Sequence, residues 1–211
     1  MSSDSKFFIA VVVIAVLAVA GIIYYSTHRP VQKINVDLSQ GQKIGPDSAP
    51  VKIVEFGDFQ CPACAEEAPI IRQVQQNNPN VQLIFRNFPL ITIHPNTLTA
   101  AHAAQAAALQ GKFWQMYDLL YANQNTWADQ SNPTNNFVAF AQQLGLNIST
   151  FKSDMNSTQV KNVVNNDYNY ALSQGFDETP TFVVNGQKYT GVIPADQWKT
   201  LISAAQSSAG Q

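Results

Sequence analysis

Cysteine is scarce in this chain. Cys61 and Cys64 are its two cysteines among 211 residues. Two cannot build a disulfide scaffold, nor alone complete the four-ligand shell of a structural zinc. Charge is scarce as well. With 12% charged residues and a net charge of −2 at pH 7, the chain has no acidic or basic tail, and nucleic acid is not an expected partner. Internal repeats and low-complexity tracts are missing. Asn and Gln are plentiful, but they are scattered between periodic apolar positions, as on solvated helix faces rather than in disorder. His94 and His102 have no partner at a useful spacing, so neither a metal nor a cofactor is expected.

One long hydrophobic run breaks the pattern. Phe7 to Tyr25 is uncharged over 19 residues, and as a helix at ~1.5 Å per residue it nearly spans a ~30 Å hydrocarbon core. Tyr24 and Tyr25 suit a membrane interface. Ala18-Val19-Ala20 offers a competing signal-peptide cleavage site, but the apolar run continues through Ile22 and Ile23. The reading is a tail over 1–6, a transmembrane anchor over 7–25, a linker over 26–50 rich in Gly and Pro, and a globular domain over 51–207. Lys6 on one side and Arg29 and Lys33 on the other leave the orientation open on charge alone.

Within the domain, 51–57 reads as a strand, 61–77 as a helix and 81–87 as a strand. A right-handed crossover makes the two strands parallel. From about 95 to 175 the pattern is helical. Phe113, Met116, Tyr117 and Leu120 mark one apolar stripe, Phe137, Phe140, Ala141 and Leu144 another, and Ser157 can cap a last long helix. Residues 181–190 read as a hairpin turning on Asn185-Gly186, and a final helix covers 195–206.

The two cysteines stand three apart at the strand-to-helix junction, where a Cys-x-x-Cys pair can cycle between dithiol and disulfide. Cys61 falls at the helix N-cap and Pro62 at the first helical position, where its missing N–H costs nothing. The Cys61 sulfur then stands where a cap accepts N–H bonds from Ala63 and Cys64, which favours the thiolate. The helix dipole adds about 0.3–1 kcal/mol, so direct contacts must supply any larger shift. Cys64, one turn in, is the natural resolving thiol.

The order β-α-β, helices, β-β-α, with Glu55-Phe56-Gly57-Asp58-Phe59-Gln60-Cys61-Pro62-Ala63-Cys64, His94-Pro95, Gly111-Lys112-Phe113-Trp114 and Thr179-Pro180-Thr181-Phe182, resembles a DsbA-like member of the thioredoxin superfamily. The resemblance implies an α/β thioredoxin fold carrying an inserted helical subdomain. It implies a redox disulfide between Cys61 and Cys64, and a cis Thr179-Pro180 loop packed against the pair. In such proteins an acid beneath the second cysteine relays its proton, which gives that role to Glu55. The alternative for Glu55 is a rim carboxylate paired with Lys52 or Arg86. Strong oxidases of the family carry His where this chain has Ala63, and Glu66 and Glu67 further along the helix would slightly oppose a thiolate. A less oxidising couple is therefore expected. Asn147-Ile148-Ser149 and Asn156-Ser157-Thr158 match the glycosylation pattern, a weak signal.

The resemblance implies a protein thiol–disulfide oxidoreductase that introduces disulfides into exported proteins. Its catalytic domain would be extracytoplasmic, in an oxidising compartment, with a membrane quinone-linked reoxidase as second partner. The alternatives are an envelope reductase or isomerase on the same fold, or a non-catalytic peptide-binding module with a structural disulfide.

Overall fold

A computed structural model describes residues 33–209. The apolar run over 7–25 lies outside the described residues. Among those described, no helix is long and apolar enough to cross a membrane.

Five strands form one mixed sheet in the order β1-β3-β2-β4-β5: β1 (Gln42–Ile44), β2 (Val51–Gly57), β3 (Val81–Asn87), β4 (Thr181–Val184) and β5 (Gln187–Thr190). β2 and β3 run parallel, joined by the crossover helix α1 (Pro62–Asn77). β4 returns antiparallel to β2, setting Glu55 opposite Phe182 and Phe56 opposite Thr181. The β4–β5 turn places Asn185 at φ 44° and Gly186 at φ 91°, the two left-handed conformations that a tight hairpin turn needs.

Alternation along β2 sorts its side chains to two faces. Val51 and Ile53 pack against Ile71 and Val74 of α1 and against Trp198 and Ile202 of the C-terminal helix α8 (Ala195–Ala209). Phe182 meets the Trp198 ring edge-on at 5.1 Å. Val54 and Phe56 point to the other face and pack with Ala171 and Phe176.

Between β3 and β4 the chain folds into six helices: α2 (Thr97–Ala108), α3 (Phe113–Ala122), α4 (Gln124–Trp127), α5 (Thr134–Gln143), α6 (Ile148–Met155) and α7 (Thr158–Ser173). Six alanines of α2 are buried, so it forms the middle of the insertion and its neighbours approach closely. Ser157 caps α7 by accepting from Val160 N–H at 3.2 Å. Asp167 of α7 ties the insertion to the sheet. It accepts from Arg86 Nε at 2.7 Å and from Asn87 N–H and Nδ2 at 3.0 and 2.9 Å.

One expectation differs here. The segment read as linker carries β1, antiparallel to β3. Gly41, at φ +96°, lies so close to β3 that a Cβ would fall 2.7 Å from the Phe85 carbonyl oxygen. Its glycines, which look like linker in sequence, are what let this edge strand reach the sheet.

Candidate active site

The turn between β2 and α1 is built around Asp58. Its buried carboxylate accepts from Gln60 N–H (2.7 Å), Leu90 N–H (2.8 Å) and Thr97 Oγ1, and meets His94 Nδ1 at 2.7 Å. The Gln60 side chain donates to the Ala128 carbonyl and accepts from Asn96 N–H. Gln124 of the insertion donates to the carbonyls of Phe59 and Cys61, at 2.8 and 3.0 Å. The insertion thus grips the turn that presents the first sulfur.

Cys61 is the N-cap residue of α1, with extended φ −71° and ψ 125°, and Pro62 follows at the first helical position. Both cysteines are free thiols in this structure. Cys61 is not openly exposed as its cap position suggests. It retains 7% exposure against 0% for Cys64, because the Thr179-Pro180 loop closes over it. That peptide bond is cis, and the Cys61 thiol donates to the Thr179 carbonyl at 3.4 Å.

The two sulfurs have opposite acidities. The Cys61 pKa is lowered to about 6, first by a hydrogen bond from the Cys64 thiol, with the Thr179 side chain and the amides of Cys64 and Ala63 adding to it and burial opposing. No full cap hydrogen bond to the sulfur is formed, so the Cys64 thiol outweighs the helix amides. Cys64 is pushed well above its ordinary value, first by burial, then by the bond it gives Cys61 and by the charges of Cys61 and Glu55. At pH 7, a pKa of about 6 means about ten Cys61 thiolates for each thiol.

Glu55 is fully buried, and its charge acts on the Cys64 thiol. Burial raises its pKa to about 8, while a hydrogen bond from Tyr117 pulls it down. The Tyr117 hydroxyl donates to both carboxylate oxygens, at 3.2 and 3.1 Å. The rim reading of Glu55 is excluded. Lys52 Nζ is used by the Asp47 carbonyl and by Gln82. Arg86 is in register with Phe56, hence on the opposite face, where Asp167 takes it.

Glu67 is a second correction. Rather than lying on a solvated face, it is fully buried. It accepts from Ile193 N–H and Trp198 Nε1, both at 2.7 Å, and burial raises its pKa to about 7. Glu66 is exposed, as expected of the helix surface.

The expected site residues Cys61, Cys64, Glu55, Pro62, Ala63, Thr179 and Pro180 all converge on this one junction. Sequence reasoning missed Tyr117, Asp58 and Glu67. His94 belongs to the Asp58 network, whereas His102 is half-buried on α2, away from it. Among the described residues no three His, Cys, Asp or Glu side chains group as metal ligands. Asn147 and Asn156 use their side chains in hydrogen bonds at the two ends of α6.

The family model described as thioredoxin matches residues 38–204. A curated relative, the probable disulfide bond formation protein D of Bacillus cereus, is 32% identical over 182 residues, covering 82% of this chain and 84% of its own. A thioredoxin-like oxidoreductase from Silicibacter pomeroyi superposes with a TM-score of 0.68 at 26% identity, over 79% of this chain and 92% of the other. The chain therefore belongs to the thioredoxin family. It is also 33% identical over 176 residues to the Na(+)/H(+) antiporter NhaA 3 of Salinispora tropica. There the match covers 83% of this chain and 26% of the antiporter, so the chain spans about a quarter of that relative's length.

Proposed function

We propose that the protein is a dithiol oxidase that passes a Cys61–Cys64 disulfide to cysteine pairs in exported proteins. In this reading residues 7–25 tether it to the membrane, its catalytic domain is extracytoplasmic, and a membrane quinone-linked oxidase restores the disulfide. The observation that carries the proposal is the split between the sulfurs. A stabilised Cys61 thiolate is a good leaving group, and it favours the reduced enzyme, which makes the disulfide oxidising. The relative named a disulfide bond formation protein supports the same direction.

The steps follow from the geometry. A substrate thiolate attacks Cys61 Sγ, the only sulfur of the two with any exposure, and Cys64 leaves with its electron pair. Cys64 then takes a proton from Glu55, because its raised pKa makes the free thiolate costly. A second substrate thiolate attacks the first substrate sulfur and expels Cys61 as the thiolate. The substrate has lost two electrons and the enzyme holds a dithiol. A reductase or isomerase is the second reading, and Ala63 favours it by leaving the site without an imidazole beside the thiolate.

Cys64→Ala, expressed in the full chain, tests the proposal by trapping mixed disulfides at Cys61. Trapped exported proteins, with a wild-type potential less negative than about −200 mV, support the oxidase. A potential near about −270 mV turns the assignment to a reductase. An inert pair that traps nothing leaves a binding module.

A further inference from the structure

The proton that moves between Glu55 and Cys64 needs a carboxyl able to hold it and to release it. Fully buried carboxyls keep their protons, because the charged form loses its hydration. Glu55 is fully buried, and among the described residues Tyr117 Oη is its one hydrogen-bond partner. That hydroxyl lies within 3.2 Å of both oxygens, and Tyr117 is itself fully buried. Its ring is fixed edge-on against Phe85 at 5.4 Å and against Tyr121 at 4.8 Å.

We infer that Tyr117 is a positioning residue for the proton step. Its hydroxyl keeps Glu55 ionisable in a site that would otherwise hold it protonated, and Glu67 pulls the other way. The inference rests on the reading of Glu55 as proton partner of Cys64.

The groups facing Glu55 define the balance. From α1 come Cys64, Glu67 and Arg72, and from α3 Tyr117 and Tyr121. From the flanking strands come Phe85 and Phe182, which are uncharged. Tyr117 and Arg72 favour the carboxylate, Glu67 and burial the acid. Tyr121 is different, since its buried hydroxyl has no partner. When a mixed disulfide resolves, the proton passes from Cys64 Sγ to a Glu55 oxygen, Cys64 Sγ bonds to Cys61 Sγ, and the substrate sulfur leaves as thiolate. In the oxidase direction the same proton returns. An acid fixed in its protonated form could give that proton but not take it back.

The test reads Glu55 directly. The chain has four glutamates, so ¹³C labelling of their carboxyl carbons gives few resonances, and Glu55→Gln assigns the one of interest. In the reduced protein, Tyr117→Phe, which keeps the ring, should raise the Glu55 midpoint by about one pH unit or more. Glu67→Gln should lower it, and Tyr121→Phe should leave it in place. A midpoint unmoved or lowered in Tyr117→Phe overturns the inference. A fall in all three variants reports loosened packing and overturns it too. Should Tyr117→Phe fail to fold, 3-fluorotyrosine, a stronger donor, must lower the midpoint, and a rise or no change sinks the idea. No turnover enters these readings, so an inactive protein with the expected shifts would refute the proposed function and not the role of Tyr117.

Discussion

The acidity of Cys61 predicts how the redox potential depends on pH. Reduction of the disulfide consumes two electrons and as many protons as the dithiol keeps. Below the Cys61 pKa of about 6 both sulfurs are protonated, and the potential falls by about 59 mV per pH unit. Above it Cys61 stays ionised while Cys64, with its raised pKa, keeps its proton. One proton is then taken up, and the slope halves to about 30 mV per unit. Set against an ordinary thiol of pKa 9.0, the thiolate stabilises the reduced enzyme by about 1.4 kcal/mol at pH 7, hence about 30 mV. At pH 8 the effect nearly doubles to about 60 mV, since the ionisation ratio has advanced by almost one more unit.

Equilibration against a dithiol reference buffer from pH 5 to 8.5, followed by acid quench and alkylation, gives the potential at each pH. Two cysteines per chain make the thiol count unambiguous. A single slope of about 59 mV through pH 8 would refute the assignment of Cys61 as a stabilised thiolate. The break must survive in Glu55→Gln, because it belongs to the sulfur. Loss of the break in that variant would show that the carboxyl, and not Cys61, was titrating.

Ala63→His places an imidazole beside Cys61 and should lower its pKa by about one unit, raising the potential at pH 7 by about 30 mV. Thiolate absorbance near 240 nm checks the first and the dithiol equilibrium the second, and a fall in potential would contradict the argument. For Glu55, the folded pKa of about 8 lies above its ordinary value of 4.5. Its protonation therefore favours the folded state fully below pH ~4.5, and that stability is lost as pH rises through ~8. The loss is up to about 5 kcal/mol for a fully buried group, and Glu55→Gln should flatten that part of the denaturation-midpoint profile. Unchanged pH dependence in the variant would mean that Glu55 is not the buried acid.

The sulfur chemistry is legible in sequence because its determinants are local. Pro62 after Cys61 marks a helix start, and a lone carboxylate among Val, Ile and Phe marks Glu55 as buried or paired. The cis Thr179-Pro180 loop is legible only through family resemblance, since a threonine and a proline at a strand start carry no such information by themselves. Tyr117 is misread for a physical reason. In an apolar helical stripe its ring is indistinguishable from core, and its hydroxyl gains meaning only when the insertion folds back over β2, 62 residues earlier. Glu67 follows Glu66 in a polar-looking pair, and only the arrival of Ile193 and Trp198 gives it two donors and a buried place. Asp58 and β1 are hidden in the same way, one by three partners 32, 36 and 39 residues further along the chain and the other by glycines that serve close packing.

The source of the acidity split also changes what Cys64 does. A helix N-terminus supplies up to about 2 kcal/mol in a partly buried setting, roughly one and a half pKa units. Cys61 is lowered by about twice that, and the first cause is the hydrogen bond from the Cys64 thiol. The same bond adds to burial in raising Cys64, so the two acidities are coupled through one hydrogen bond. Removing the Cys64 sulfur must therefore make Cys61 less acidic, not merely remove its partner. Cys64→Ala should raise the Cys61 pKa from about 6 by one unit or more, while the amides of Ala63 and residue 64 keep it below an ordinary thiol. Thiolate absorbance against pH in that variant decides the point. A midpoint unchanged from wild type would assign the acidity to the helix terminus, and Cys64 would then only resolve what Cys61 captures.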